Sequence, residues 1–334
     1  MKILVTGGAG FIGSNFIHYL IKEHSDWDIT NLDKLTYAGN PENLAGIEKN
    51  PRYHFTKGDI TDRQTVSQIL SQGFDVLVNF AAESHVDRSI MDASPFIDTN
   101  IKGTQVLLEG VKQYGIIKYL QVSTDEVYGS TEIGKFNENS PLFPNSPYAA
   151  SKASADLLSR AYWRTFNLPV VITRCSNNYG PYQFPEKLIP LLITNAMENK
   201  DIPVYGDGLN IREWIHVIDH CRAIDYAIKE GKCGEIYNVG SNEERTNIEL
   251  VKFILGVMGK PQSLIKYVTD RPGHDRRYAL DSQKIQNELT WKPTISFEDG
   301  MVSTVKWYLN NKSWWQHVKS GEYAQYYHRM YDNR

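Results

Sequence analysis

The chain opens on "MKILVTGGAGFIG": an apolar run over 2–6 leads into Gly7, Gly10 and Gly13, and an amphipathic stretch over 11–24 follows. Glycines at this spacing, taken alone, mean only a turn. Between a strand and a helix they mean more, because the first N–H groups of the helix have no partner within it and can receive a pyrophosphate. Asp33 closes the second apolar run, twenty residues after Gly13. A carboxylate there suits a ribose 2′-hydroxyl and repels a 2′-phosphate, so the expected cofactor is NAD. The neighbouring Lys34 leaves NADP open.

The same rhythm continues through the first half. Short apolar runs at 2–6, 28–33, 53–59, 75–81, 118–124 and 169–175 alternate with longer amphipathic stretches such as 11–24 and 100–115, the latter ending at Gly115. Right-handed crossovers turn that alternation into an α/β fold with a doubly wound, Rossmann-type parallel sheet. After residue 175 the pattern changes. "NNYGPYQFPEKLIP" reads as a loop leading into a helix. The pair 216–231 and 235–240 reads as a helix and strand returning to the sheet, and helices are expected at 246–259 and 296–309. The expected division is a dinucleotide domain over 1–175, rejoined by 211–241, and a smaller mixed α/β substrate lobe over 176–210 and 242–334.

With 36 basic and 39 acidic residues the formal charge is −3, which offers no footprint for nucleic acid and no field toward a membrane. Cys175, Cys221 and Cys233 show no CxxC spacing. No apolar run reaches the ~18 residues that would span a bilayer, and the glycines break the N-terminal run too early for a signal peptide. These features point to a soluble, cytoplasmic protein.

Strand ends are where ligands gather in such sheets. Asp59 and Ile60 close the third strand, with Asp59 able to meet an adenine, and Ala81 and Ala82 follow the fourth, small enough for a dinucleotide to approach. "STDEVYG" follows the fifth and sets Asp125 beside Glu126. Adjacent acids in a cleft cannot both ionise easily, so one would hold a proton. "PYAASK" carries Tyr148 and Lys152 four residues apart, on one face of a helix. The ammonium, with an oxidised nicotinamide, would let the phenol act as a base. Arg212 and Arg271 are the favoured diphosphate clamps, because a guanidinium matches phosphate geometry.

"TGGAGFIG", "STDEVYG", "YAASK" and "NNYGPYQFPEKLIP" together resemble the extended short-chain dehydrogenase/reductase family. Asp125–Glu126 with "RPGHDRRYALD" is similar, within it, to the dTDP-glucose 4,6-dehydratases, over essentially the whole chain as far as "WWQHVKSGEY". The resemblance implies a lyase that uses NAD without net redox change. Tyr148, aided by Thr124, would take the C4 hydroxyl proton of dTDP-glucose, Glu126 the C5 proton, and Asp125 would protonate the departing C6 hydroxyl. It adds Phe11, Ile12, Leu35, Thr36, Thr99 and Asn178 to the cofactor contacts. It also adds Ser84, Asn177, Lys187, Leu188, Pro203, Tyr205, Asn247, His274 and Asp275 to the substrate contacts, and a homodimer joined through two helices per subunit.

"HVIDH" places His216 and His220 at i, i+4, but lacks the Glu and the third ligand of a zinc site, so no metal is expected. "WWQHVKSGEYAQYYHRMY" lacks interleaved basic residues and reads as a packed tail rather than a nucleic-acid platform. The rival readings are a dehydratase of another nucleotide-glucose, a nucleotide-sugar 4-epimerase, which has no use for the acid pair, and a non-catalytic NAD-dependent regulator.

Overall fold

The computed structural model describes residues 1–320, so the aromatic tail beyond Ser320 lies outside the described residues. Seven strands form one parallel sheet: β1 (Lys2–Thr6), β2 (Asp28–Asp33), β3 (Tyr53–Lys57), β4 (Val76–Asn79), β5 (Lys118–Thr124), β6 (Val170–Cys175) and β10 (Ile236–Val239). Their order is β10-β6-β5-β4-β1-β2-β3. Every residue of β4 and β6 is buried, as continuous apolar strands covered on both faces require. On one face, Phe16, Ile17 and Leu20 of α1 (Phe11–Glu23) pack with Ile224 and Ile228 of α8 (Val217–Glu230). The other face is covered by α2 (Arg63–Leu70), α5 (Thr104–Tyr114) and α6 (Pro147–Phe166) through Ile69, Leu107, Val111 and Leu158.

The strand order reverses between β1 and β4, and the crevice above that reversal is the ligand position of such sheets. Two ladders end earlier than the sequence suggests, at Lys57 and Asn79 rather than 59 and 81. Their last bonds run from Gly58 N to the Asp33 carbonyl and from Phe80 N to the Thr6 carbonyl. Beyond these the chains splay, and the residues after them become cleft wall. The helix expected at 100–115 also begins earlier. Short helix α3 (Val86–Met91) precedes α4 (Ser94–Phe96), and π-helical turns over Ile97–Gly103 run on into α5. It ends at Gly115, whose φ of 67° is the left-handed cap that glycine accepts.

The second core joins α7 (Leu188–Met197), β8 (Ile202–Tyr205), α9 (Asn247–Val257), α11 (Phe297–Asn310) and α12 (Lys312–Val318) through Ile193, Val204, Ile254, Met301 and Trp315. A capping box between Thr246 and Glu249 starts α9. "NNY" is a strand, β7 (Asn177–Tyr179), rather than loop, in a three-stranded sheet with β9 (Ile211–His216) and β11 (Glu244–Thr246), while β12 (Ile265–Val268) pairs with β8. Two segments fall across the expected boundary. β9 bonds to this small sheet and not to the large one, and Ile285 and Leu289 of α10 (Gln283–Leu289), with Trp291, pack into the large-sheet core.

Candidate active site

Gly7 carries φ 70°, and a Cβ there would sit 2.6 Å from Ala81 N; a Cβ on Gly13 would sit 2.4 Å from the Gly7 carbonyl oxygen. The turn therefore holds β1, β4 and α1 at separations that only glycine permits. α1 has no side-chain cap, so the N–H groups of its first turn, at Phe11, Ile12 and Gly13, are left for a ligand. These residues line a cleft of about 290 Å³ together with Gly7, Gly10, Asp33, Lys34, Thr36, Asp59, Ile60, Ala81, Ala82 and Thr99.

Asp33 is buried at the end of β2, its two oxygens accepting from Ala9 N at 2.8 Å and Leu35 N at 2.7 Å. That bonding aims its carboxylate across the cleft. Burial raises its pKa, and the two N–H groups oppose the rise. Lys34, the residue that left a 2′-phosphate open, pairs with Asp59 at 2.7 Å. Leu35, with φ 56°, is half-buried against the large-sheet core, and its N–H fixes Asp33. An uncapped helix start, a glycine turn without room for a side chain and an oriented carboxylate fit a dinucleotide.

The same cleft ends at the catalytic candidates. Ser146 caps α6 by accepting from Ala149 N, which presents Tyr148 and Lys152 to the cleft. The Lys152 ammonium donates to the Val122 carbonyl at 2.7 Å. Burial holds the Tyr148 phenol well above its ordinary pKa and Glu126 adds to the rise, while the nearby Thr124 hydroxyl opposes it. After β5 the chain makes a single 3₁₀ turn. The Thr124 hydroxyl accepts from Glu126 N at 3.3 Å and donates to Asp125 Oδ1 at 3.1 Å. Asp125 Oδ2 is buried with no partner among the described residues.

The two acids differ. Burial first, then Glu126 and Glu213, hold the Asp125 carboxyl well above the ordinary range. Burial raises Glu126 as well, but the cations of Arg271, Lys187 and Arg212 act against it. Both carboxyls are thus raised, Asp125 the more strongly, and the pair's shared proton belongs on Asp125 rather than Glu126.

A second cleft, about 170 Å³, adjoins the first, and Glu126, Asn177, Asn178, Gln183, Glu186 and Lys187 line both. Its wall includes Leu188, Pro203, Tyr205, Arg212, Asn247, Arg271 and His274; Ser84 lies on the first, its carbonyl accepting from Lys187 Nζ at 2.8 Å. Asn177 Oδ1, Asn247 Oδ1, Trp214 Nε1 and Arg271 Nε are buried there without a partner among the described residues. Such groups are costly unless a ligand satisfies them.

Asp275 is not on either wall. Its carbonyl accepts from Arg212 Nη2 at 2.9 Å and Asn210 Nδ2 at 3.2 Å, so it props Arg212 from behind. Of "HVIDH", His216 caps α8 and His220 bonds Asn178 Oδ1 at 2.9 Å, giving both rings structural work. Sequence reasoning missed Trp214, Glu186, Gln183 and Cys175, each on a cleft wall. None lies in a local pattern that marks a site, although Gln183 and Glu186 fall within the "NNYGPYQFPEKLIP" stretch.

A family model described as GDP-mannose 4,6 dehydratase matches residues 4–304. A dTDP-glucose 4,6-dehydratase from Streptomyces niveus is 51% identical over 328 residues, covering 97% of each chain. One from Streptomyces venezuelae, solved with NAD bound, has a TM-score of 0.94 at 52% identity, over 96% of this chain and 100% of that one. A UDP-glucuronic acid 4-epimerase from Bacillus cereus has a TM-score of 0.88 at 31% identity, over 93% of this chain and 99% of that one. The backbone is thus shared with epimerases, but half of the residues, over nearly the full length, are shared with dehydratases. The chain belongs to the dTDP-glucose 4,6-dehydratases of the extended short-chain dehydrogenase/reductase family.

Proposed function

We propose that this enzyme is an NAD-dependent carbon–oxygen lyase that converts dTDP-glucose to dTDP-4-keto-6-deoxyglucose and water. The observation that carries this reading is the junction of the two clefts at a carboxyl pair in unequal electrostatic surroundings. The Gly7–Gly13 turn and Asp33 would hold NAD, which would supply the hydride acceptor for C4 and the hydride donor for C6. Tyr148 takes the C4 hydroxyl proton, with Thr124 lowering the phenol's pKa and Lys152 held behind it by Val122. Glu126, whose rise in pKa the surrounding cations oppose, removes the C5 proton that the C4 ketone acidifies and gives a proton back to C5 as the hydride reaches C6. Asp125 donates its proton to the C6 oxygen, which otherwise leaves poorly. Arg212 and Arg271 face the diphosphate, and the unpaired amides of Asn177 and Asn247 offer polar contacts to the rest of the substrate.

The same reading extends to assembly and location. A homodimer through α5 and α6 accounts for the exposed Leu157 and Phe166 on α6. Three free cysteines, two of them buried, agree with a cytoplasmic protein. Among the described residues no helix is long and apolar enough to cross a membrane.

Incubation with a panel of nucleotide-glucoses, followed by mass and NMR analysis of products, tests the activity. Loss of water with a 4-keto product, at the highest kcat/KM for dTDP-glucose, is the expected result. Inversion at C4 without loss of water would assign an epimerase instead.

A further inference from the structure

Asp87 has no part in the assignments above, yet it stands on the wall of the substrate cleft. It lies at the start of α3, on the dinucleotide side, and is buried. Its Oδ1 accepts from Arg271 Nη1 at 2.7 Å, across 184 positions of sequence, and its Oδ2 accepts from the Tyr205 hydroxyl at 3.3 Å. One carboxylate thus ties α3 to β8 and to the loop after β12. The neighbouring Val86 packs against the catalytic Tyr148 through Phe96, so α3 is itself fixed to the reacting end of the site.

The geometry at Arg271 gives this tie a direction. A guanidinium is a planar fork with separate donor edges. Asp87 takes Nη1, while Nε is buried, has no partner among the described residues, and belongs to a side chain that lines the cleft. Without Asp87 a long arginine side chain would have many rotamers to choose from, and ordering one of them would be charged against binding. With it, the ordering is done before substrate arrives.

We propose that Asp87 is a positioning residue for the substrate diphosphate, holding Arg271 by one edge so that the Nε edge meets a phosphate oxygen. This rests on the reading of Arg271 as a diphosphate clamp. The opposite role is equally concrete: a carboxylate in the cleft could repel the diphosphate and compete for Arg271. The two roles predict opposite signs.

The test uses the NAD-loaded enzyme and compares Asp87→Ala, Asp87→Asn, Arg271→Ala and the Asp87→Ala/Arg271→Ala double variant. Bound NAD and melting temperature establish that each is folded, and Asp87→Asn serves if the alanine variant is not. Binding of dTDP and of thymidine is measured alongside steady-state turnover of dTDP-glucose. Asp87→Ala should raise KM for dTDP-glucose and Kd for dTDP by about 10–100-fold, as expected for loss of a charge-assisted support. It should change kcat by less than about threefold and leave thymidine binding unchanged. Asp87→Asn, which still accepts from Nη1, should recover part of the loss, and for dTDP binding the double variant should equal Arg271→Ala, because Asp87 reaches the diphosphate through that arginine. Tighter or unchanged dTDP binding in Asp87→Ala, an equal loss for thymidine, or additive effects in the double variant would overturn the proposal. If Arg271→Ala weakens dTDP while Asp87→Ala does not, only the Asp87 assignment falls. If Arg271→Ala itself leaves dTDP binding intact, the clamp reading falls and takes this inference with it.

Discussion

Asp125 and Glu126 divide by environment, since their side chains differ by one methylene and their sequence positions by one residue. Asp125 lies deeper and faces a second acid, Glu213, whereas Glu126 sits among three cations. Asp125→Asn keeps the shape and removes the transferable proton. It should still oxidise dTDP-glucose at C4 but eliminate water about 10²–10⁴-fold more slowly, seen as a build-up of reduced-nicotinamide absorbance after rapid mixing. Glu126→Gln should instead suppress exchange of the C5 hydrogen with solvent deuterium. If Asp125→Asn forms no reduced nicotinamide while fold and cofactor remain, Asp125 acts at or before C4 oxidation. Stability carries a second signature. Because the folded-state pKa of Asp125 is raised, the native protein binds more protons than the unfolded chain above about pH 4, and this carboxyl costs stability as pH climbs through that window. Asp125→Asn should therefore melt higher than its parent at pH 8, with the gap closing toward pH 4. An equal gap at both pH values would remove the carboxyl's ionisation as the cause.

The β1–α1 turn shows what a single element contributes. Gly7→Ala forces a side chain into left-handed backbone and against Ala81 N at 2.6 Å. Backbone strain of this kind costs about 1–3 kcal/mol before the clash is counted. The variant should melt lower and, after purification, release far less NAD on denaturation than its parent does. Normal cofactor content with an unchanged melting temperature would show that the turn is looser than its geometry. This turn was legible in the sequence, as were the Tyr148–Lys152 helix and the acid pair, because each is one element whose spacing already states the geometry. The register of Leu35 was not legible, since a positive φ at a leucine has no local signal. Nor were the partnerships of α3, because Arg88 meets Glu186 at 3.0 Å over 98 positions and Asp87 meets Arg271 over 184. Such pairs exist only after both segments have been placed by their own cores.

Across the whole molecule, the last described helix reaches back to the first turn. Trp314 Nε1 on α12 donates to Asn43 Oδ1 at 2.9 Å, and Asn43 Nδ2 donates to the Ala9 carbonyl at 2.9 Å, within the glycine turn. Trp314→Phe would leave a buried Asn43 oxygen unpaired, a loss of roughly 1–3 kcal/mol. It should lower the melting temperature and speed NAD release, measured by dilution into a competing nucleotide analogue. A lower melting temperature with unchanged NAD release would confine α12 to a packing role.

The link from Trp314 to Asn43 also orders events in time. It spans 271 positions, and a ribosome adding about 5–20 residues per second needs roughly 15–50 s to make that much chain. Throughout that interval the nascent glycine turn exists without the tryptophan that braces it. A chain truncated before α12 should therefore carry the nucleotide motif intact in sequence yet release its nucleotide faster than the full chain, in the same direction as Trp314→Phe.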